Sequence, residues 1–176
     1  MYSFFPATST WVIPDTVLPD CLSEMALDGA RGNEGIVLWL GQDQGGTAQV
    51  THLIGLRGTL IRKLPNHIHI EAELFNEVAD VAFELGARLL GQIHSHGREY
   101  SLDLSTTDRI YGLQVPSYLS VVAPDYGCSL VPFSACGVHV FKPGAGYVRL
   151  SQRQVSEKLQ LVRGPHLPFL VVGGEQ

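Results

Sequence analysis

The sequence predicts one α/β domain, residues 1–176, with a central mixed β-sheet flanked by helices. Three observations carry that prediction. Gly35 to Gly41 is an unbroken apolar run, the mark of a strand covered on both faces. Glu71 to Ala87 repeats Leu74, Val78, Val81, Ala82 and Leu85 at spacings of three and four, which gives a helix one apolar side to lay on a sheet. Strand-like and helix-like segments alternate along the chain, and 176 residues suit a single hydrophobic core.

In order, Ser9 to Pro14 reads as a short strand around Trp11, Val12 and Ile13. Asp15 to Ala30 follows as a helix with Val17, Leu18, Cys21, Leu22, Met25 and Ala26 on one side, Asp15 as its cap, and Gly29 and Gly32 at its end. The apolar strand ends at Gly41, a turn is expected over Gln42 to Gly46, and Ala48 to Leu56 alternates as the second strand of a hairpin. Residues 57–70 read as a polar loop with an apolar centre. After the helix of 71–87, Arg88 to His94 is a strand. A short helix begins at Ser105, where Ser-Thr-Thr-Asp favours a helix N-terminus. Ser117 to Ala123, Gly137 to Lys142 and Gly146 to Leu150 read as strands joined by Pro/Gly-rich loops, with Pro124 to Cys136 as a second candidate for lining a substrate. A helix over Ser151 to Leu161 and a strand over Leu167 to Val172 close the chain.

Composition narrows the function. A formal charge of -5 argues against a nucleic-acid-binding surface, which is usually strongly basic. No apolar run reaches the ~18 residues a membrane span needs. Met-Tyr-Ser-Phe-Phe-Pro lacks the basic start of a secretory signal, so a cytoplasmic protein is expected. Cys21, Cys128 and Cys136 are odd in number and have no Cys-x-x-Cys spacing; they read as reduced thiols. Cys136 as a nucleophile has no paired histidine to recommend it.

The chemistry concentrates between Gly91 and Asp108. His94 and His96 stand two apart at the end of a strand, so they face one side roughly 6.6 Å apart at Cα and can converge on one ion. Two imidazoles with the carboxylate of Asp108 form a three-ligand set of the kind a catalytic zinc uses, with the fourth position left to water. His67 and His69 repeat the His-x-His spacing, but no Ser-x-x-Asp follows them; they read as structural or substrate-facing.

His94-Ser-His96, a polar loop, Ser105-Thr-Thr-Asp108 and the upstream Glu34 before a strand ending in Gly41 together resemble the JAB/MPN (JAMM) metalloprotease family. The likeness is to its prokaryotic deubiquitinase-like members and spans roughly residues 34–142. Eleven residues separate His96 from Asp108 where the family usually has about ten. Gly97 stands where Pro is common, and Val37 where a further Gly is common. The resemblance implies a JAB/MPN-like fold and one Zn2+ per chain on His94, His96 and Asp108. It also implies Glu34 as the general base and Ser105 as a hydrogen-bond donor to the oxyanion. The activity it implies is hydrolysis of the isopeptide or linear bond after the C-terminal Gly-Gly of a ubiquitin-like protein. E1-like and E2-like enzymes would act in the same pathway, in some cases in bacterial antiviral defence. Two other readings stay open: a peptidase that processes a sulfur-carrier protein, and a non-catalytic MPN scaffold. Family members use the region of 57–70 to hold the substrate tail, which makes Leu60 and Leu64 candidate substrate-binding residues. The chain's own end, Val171-Val172-Gly173-Gly174-Glu175-Gln176, resembles such a tail and reads either as an ordinary terminus or as a self-processing one.

Overall fold

Val37, Leu38, Trp39 and Leu40 have no measurable exposure, and the sheet is built outward from them. In the computed structural model, which describes residues 8–174, they lie in strand β2 (Ile36–Gln44). Val37 and Trp39 face a core shared with helix α1 (Val17–Gly29), while Leu38 and Leu40 face a second core shared with helix α2 (Ala72–Glu84). The strand is therefore central because its side chains satisfy two apolar layers at once.

β2 turns into β3 (Thr47–Leu56) through Gly45-Gly46 alone, and Gln44 pairs with Thr47. Both glycines have positive φ, 62° and 86°, as a tight two-residue hairpin turn requires. The expected five-residue turn is thus two residues long, because Gln42 to Gln44 continue the ladder. On its other edge β2 pairs antiparallel with β6 (Arg88–Ser95), which in turn pairs parallel with β7 (Leu119–Ala123). Beyond β7 lie β8 (Gly137–Lys142) and β9 (Gly146–Arg149), both antiparallel. β1 (Thr10–Pro14) pairs parallel with β3 and with β10 (Leu159–Val162), and β11 (Phe169–Val172) pairs parallel with the far half of β3. The result is one mixed sheet with α1 and α2 on opposite faces, as the sequence predicts.

Three further local expectations need correction. Asp15 does not cap α1: Thr16 holds that position, its hydroxyl donating to the Pro165 carbonyl at 3.0 Å and not capping the helix, and the Asp15 carboxylate accepts from the Gly164 N–H at 3.2 Å. Residues 57–70 are not a loop but carry a hairpin, β4 (Ile61–Leu64) and β5 (His67–Ile70), which pair only with each other around Pro65-Asn66. The closing helix, α4 (Gln152–Lys158), stops three residues early because Leu159 to Leu161 are drawn into β10 beside β1. Residues 124–136 are the expected loop, with short 3-10 turns at Asp125–Gly127 and Phe133–Ala135. All three thiols are free; burial pushes Cys21 and Cys136 up to about 12, which leaves no thiolate for nucleophilic work. Among the described residues no helix is long and apolar enough to cross a membrane. Of the terminal Gly-Gly segment, Val172 accepts from the Arg57 N–H at 3.0 Å, whereas Glu175 and Gln176 lie outside the described residues.

Candidate metal centre

The pairing of β2 with β6 assembles the site. Ile36 lies opposite His94, and the ladder carries on past the strand ends: the Ser95 N–H donates to the Gly35 carbonyl at 3.0 Å, and the Gly35 N–H donates to Ser95 Oγ at 2.9 Å. Glu34 is thereby held alongside His96. Ser95 is fully buried and faces away from the two histidines, and its bonds to Gly35 pin the two segments together. His96 is fixed further by its N–H, which donates to the Ala123 carbonyl at 2.9 Å.

Asp108 arrives from the other side. Helix α3 (Thr106–Tyr111) starts with a reciprocal cap: the Asp108 N–H donates to Ser105 Oγ at 3.1 Å, and the Ser105 N–H donates to Asp108 Oδ2 at 2.8 Å. The same Oδ2 lies 3.6 Å from His94 Nε2 and 3.5 Å from His96 Nε2, and the two Nε2 atoms are 3.2 Å apart. Three donor atoms thus form a nearly equilateral triangle, close enough to hold one metal ion. His96 Nδ1 lies 2.6 Å from the Ser101 carbonyl, a partner that places the proton on Nδ1 and turns the Nε2 lone pair toward His94 and Asp108. His94 Nδ1 is buried without a partner, so its proton is free to sit on either ring nitrogen, and with it on Nδ1 both Nε2 lone pairs and the Asp108 carboxylate face one point. The donor set therefore fits a metal.

Charge follows from the packing. Burial pushes the Glu34 carboxyl up to about 8; His96 opposes this and Asp108 adds to it. Burial works against ionising Asp108 too, but in the metal-free site the imidazoles, when protonated, and the Ser105 N–H donate to it and hold it well below the usual carboxylate range. Burial likewise disfavours a charged His96, yet Asp108 and the Ser101 carbonyl outweigh it and raise the imidazole above its ordinary value. Two carboxylates close together with opposite tendencies are the pattern expected where one must stay charged and the other must take a proton.

A groove of about 630 Å³ reaches two of the three candidate ligands, His94 and Asp108, and is lined as well by His67 to Ile70, Phe75 and Tyr111. The hairpin's second strand, which the sequence hid in an apparent loop, is thus one wall of the site. Leu60 packs against the α2-side core and Leu64 is 46% exposed; neither lines the groove, and no residue of 124–136 does. His67 and His69 face it, in keeping with a substrate-facing role, and His69 Nε2 is 3.0 Å from Glu71 Oε1.

No family model matches the chain, and no curated protein does. Among solved structures it is similar to the solution structure of protein DSY2949 from Desulfitobacterium hafniense. The TM-score is 0.63 at 18% identity, over 88% of this chain and 94% of that one. At that identity the likeness speaks for the fold alone: a mixed α/β domain whose central mixed sheet is flanked by helices.

Proposed function

We propose that this chain is a zinc-dependent peptidase of the JAB/MPN type that cleaves after the C-terminal Gly-Gly of a ubiquitin-like protein, in the cytoplasm. One observation carries the reading: the His94, His96 and Asp108 donor atoms converge at 3.2–3.6 Å with the buried Glu34 beside them. Ligand atoms around a tetrahedral zinc at 2.0–2.1 Å are separated by ~3.3 Å, so the triangle has the size that this ion needs.

Bound zinc supplies an electrophile and lowers the pKa of a water molecule toward ~7. The rest falls to the chain. Glu34, the carboxyl that burial biases toward protonation, accepts the proton of the attacking water and returns it to the leaving amine. Ser105 Oγ accepts from the Asp108 N–H in the helix cap, which leaves its own O–H free to donate to the oxygen that becomes negative during attack. The groove admits an extended tail, and glycines at its end let the backbone approach the ligands closely. A partner-binding scaffold needs no intact ligand set, and here the set is complete.

The test pairs metal content with chemistry. Elemental analysis should find about one zinc per chain in both the parent and Glu34→Ala. Single-turnover cleavage of a Gly-Gly-ended fluorogenic amide should fall in the variant by roughly 100-fold to 10,000-fold. A zinc-loaded Glu34→Ala that cuts near the parent rate would mean the base lies elsewhere, with the exposed Glu99 next to examine.

A further inference from the structure

Gly97 follows the ligand His96 directly, and Tyr126 stands over it: a Cβ at position 97 would lie 2.6 Å from Tyr126 Oη and 2.7 Å from its Cζ. Gly97 is therefore the room that the phenol occupies. Tyr126 belongs to a turn in which it and Asp125 both have φ of 54°, a region that residues with a Cβ avoid and that persists only when the surroundings enforce it. The surroundings do. Arg98 Nε and Nη2 donate to the Asp125 carboxylate at 2.9 and 3.1 Å, and Ser129 Oγ donates to it at 2.6 Å.

So held, Tyr126 reaches in two directions. Its N–H donates to the His96 carbonyl at 2.8 Å, and its O–H donates to the Pro65 carbonyl at 2.9 Å. Pro65 is in the turn of the β4–β5 hairpin, and the carbonyl of the preceding residue, Leu64, accepts from the Glu34 N–H at 2.9 Å. One path of contacts thus runs from His96 through Tyr126, Pro65 and Leu64 to Glu34. The hairpin is otherwise held by Lys63 to Asp28 at 2.7 Å and by apolar contacts on the α2 side. A two-stranded hairpin is marginal by itself. Among the described residues, the Glu34 N–H to the Leu64 carbonyl and the Tyr126 O–H to the Pro65 carbonyl join it to the metal-ligand side of the groove, and Tyr126 supplies the side-chain bond of the two.

We propose that Tyr126 is a positioning residue: its phenol clasps the hairpin to the loop after His96, which keeps β5 as the groove wall and Glu34 opposite the ligands. The kinetic half of this inference rests on the hydrolytic reading above; the structural half does not. Tyr126→Phe removes one O–H and keeps the ring. Hydrogen–deuterium exchange should quicken roughly three- to tenfold at the amides of 61–70 and at Glu34, the ratio expected for one partly exposed hydrogen bond. β1 and β3 amides and the zinc content should not change. With the Gly-Gly-ended fluorogenic amide, KM should rise by a similar factor while kcat stays within twofold. Tyr126→Gly, which accepts the turn's backbone without strain, should shift both readouts the same way and further. Unchanged hairpin exchange in Tyr126→Phe overturns the clasp. Faster exchange at unchanged KM overturns its role for substrate, and loss of kcat at unchanged KM would put the phenol in the chemistry and overturn it as well. If the parent cleaves nothing, that result counts against the proposed hydrolysis, and the exchange measurement alone decides the clasp.

Discussion

Glu34→Gln should stabilise the metal-free protein, and more so as the pH rises. Glutamine has the shape of the protonated acid and no charge to bury, so the variant removes only the cost of ionising a carboxyl that is 5% exposed. The Glu34 pKa is raised from 4.5 to about 8. A carboxyl whose folded pKa exceeds its unfolded one stabilises fully below pH 4.5 and loses that contribution as the pH climbs through about 8. At about 1.4 kcal/mol per unit, the difference between the chains should grow between pH 5 and pH 8 by about 2–3 kcal/mol, after discounting for solvent screening. For a chain of this size that is roughly 5–10 °C in melting temperature. Thermal melts of chelated parent and variant across this range would show it. Saturating zinc should narrow the gap, since a nearby cation favours the carboxylate. A melting difference that stays flat from pH 5 to pH 8 would refute the reasoning, because Glu34 would then be ionised without cost.

Asp108→Ala and His96→Ala should each bind zinc at least ~100-fold more weakly than the parent, since each leaves two donors of three; full zinc retention in either, by elemental analysis, would defeat the ligand assignment. Ser105→Ala should lose about 1 kcal/mol in urea denaturation through the cap and, separately, about 100-fold or more in kcat through the missing donor. An unchanged kcat would move the oxyanion donor to another group. Tyr111→Ala, at a 79% exposed groove residue, should raise KM several-fold without shifting the melting temperature. Leu64→Asp should leave KM alone, because the groove is walled by β5; a rise there would restore the sequence-based expectation for Leu64.

The sheet was legible because its signals are local. Gly35 to Gly41 announces a strand covered twice, and the convergence of His94, His96 and Asp108 follows from a period of two and a helix cap. What sequence hid was set by partners far along the chain. Leu159 to Leu161 continue a helical pattern and become strand only because β1 offers an open edge. Residues 57–70 mix Arg62 and Lys63 with Ile61, Ile68 and Ile70, so no clean alternation appears in a hairpin with one covered face; Pro65-Asn66 between two short runs was the available signal. Ser95 and Tyr126 carry no sequence signature, since their roles come from Gly35 and Pro65, 60 and 61 residues away.

Asp108 serves two masters through one oxygen: Oδ2 closes the N-terminal cap of α3 and faces both imidazoles. A six-residue helix has too few turns to persist by its own hydrogen bonds, so its start depends on where that carboxylate points. Tyr111, at the other end of the same helix, is a wall of the groove. If the triad holds a metal as proposed, its occupancy and the shape of the groove are thermodynamically linked, each favouring the other. A chelator should do more than strip the ion: it should slacken the channel, and a peptide tail seated there should in turn make the metal harder to remove.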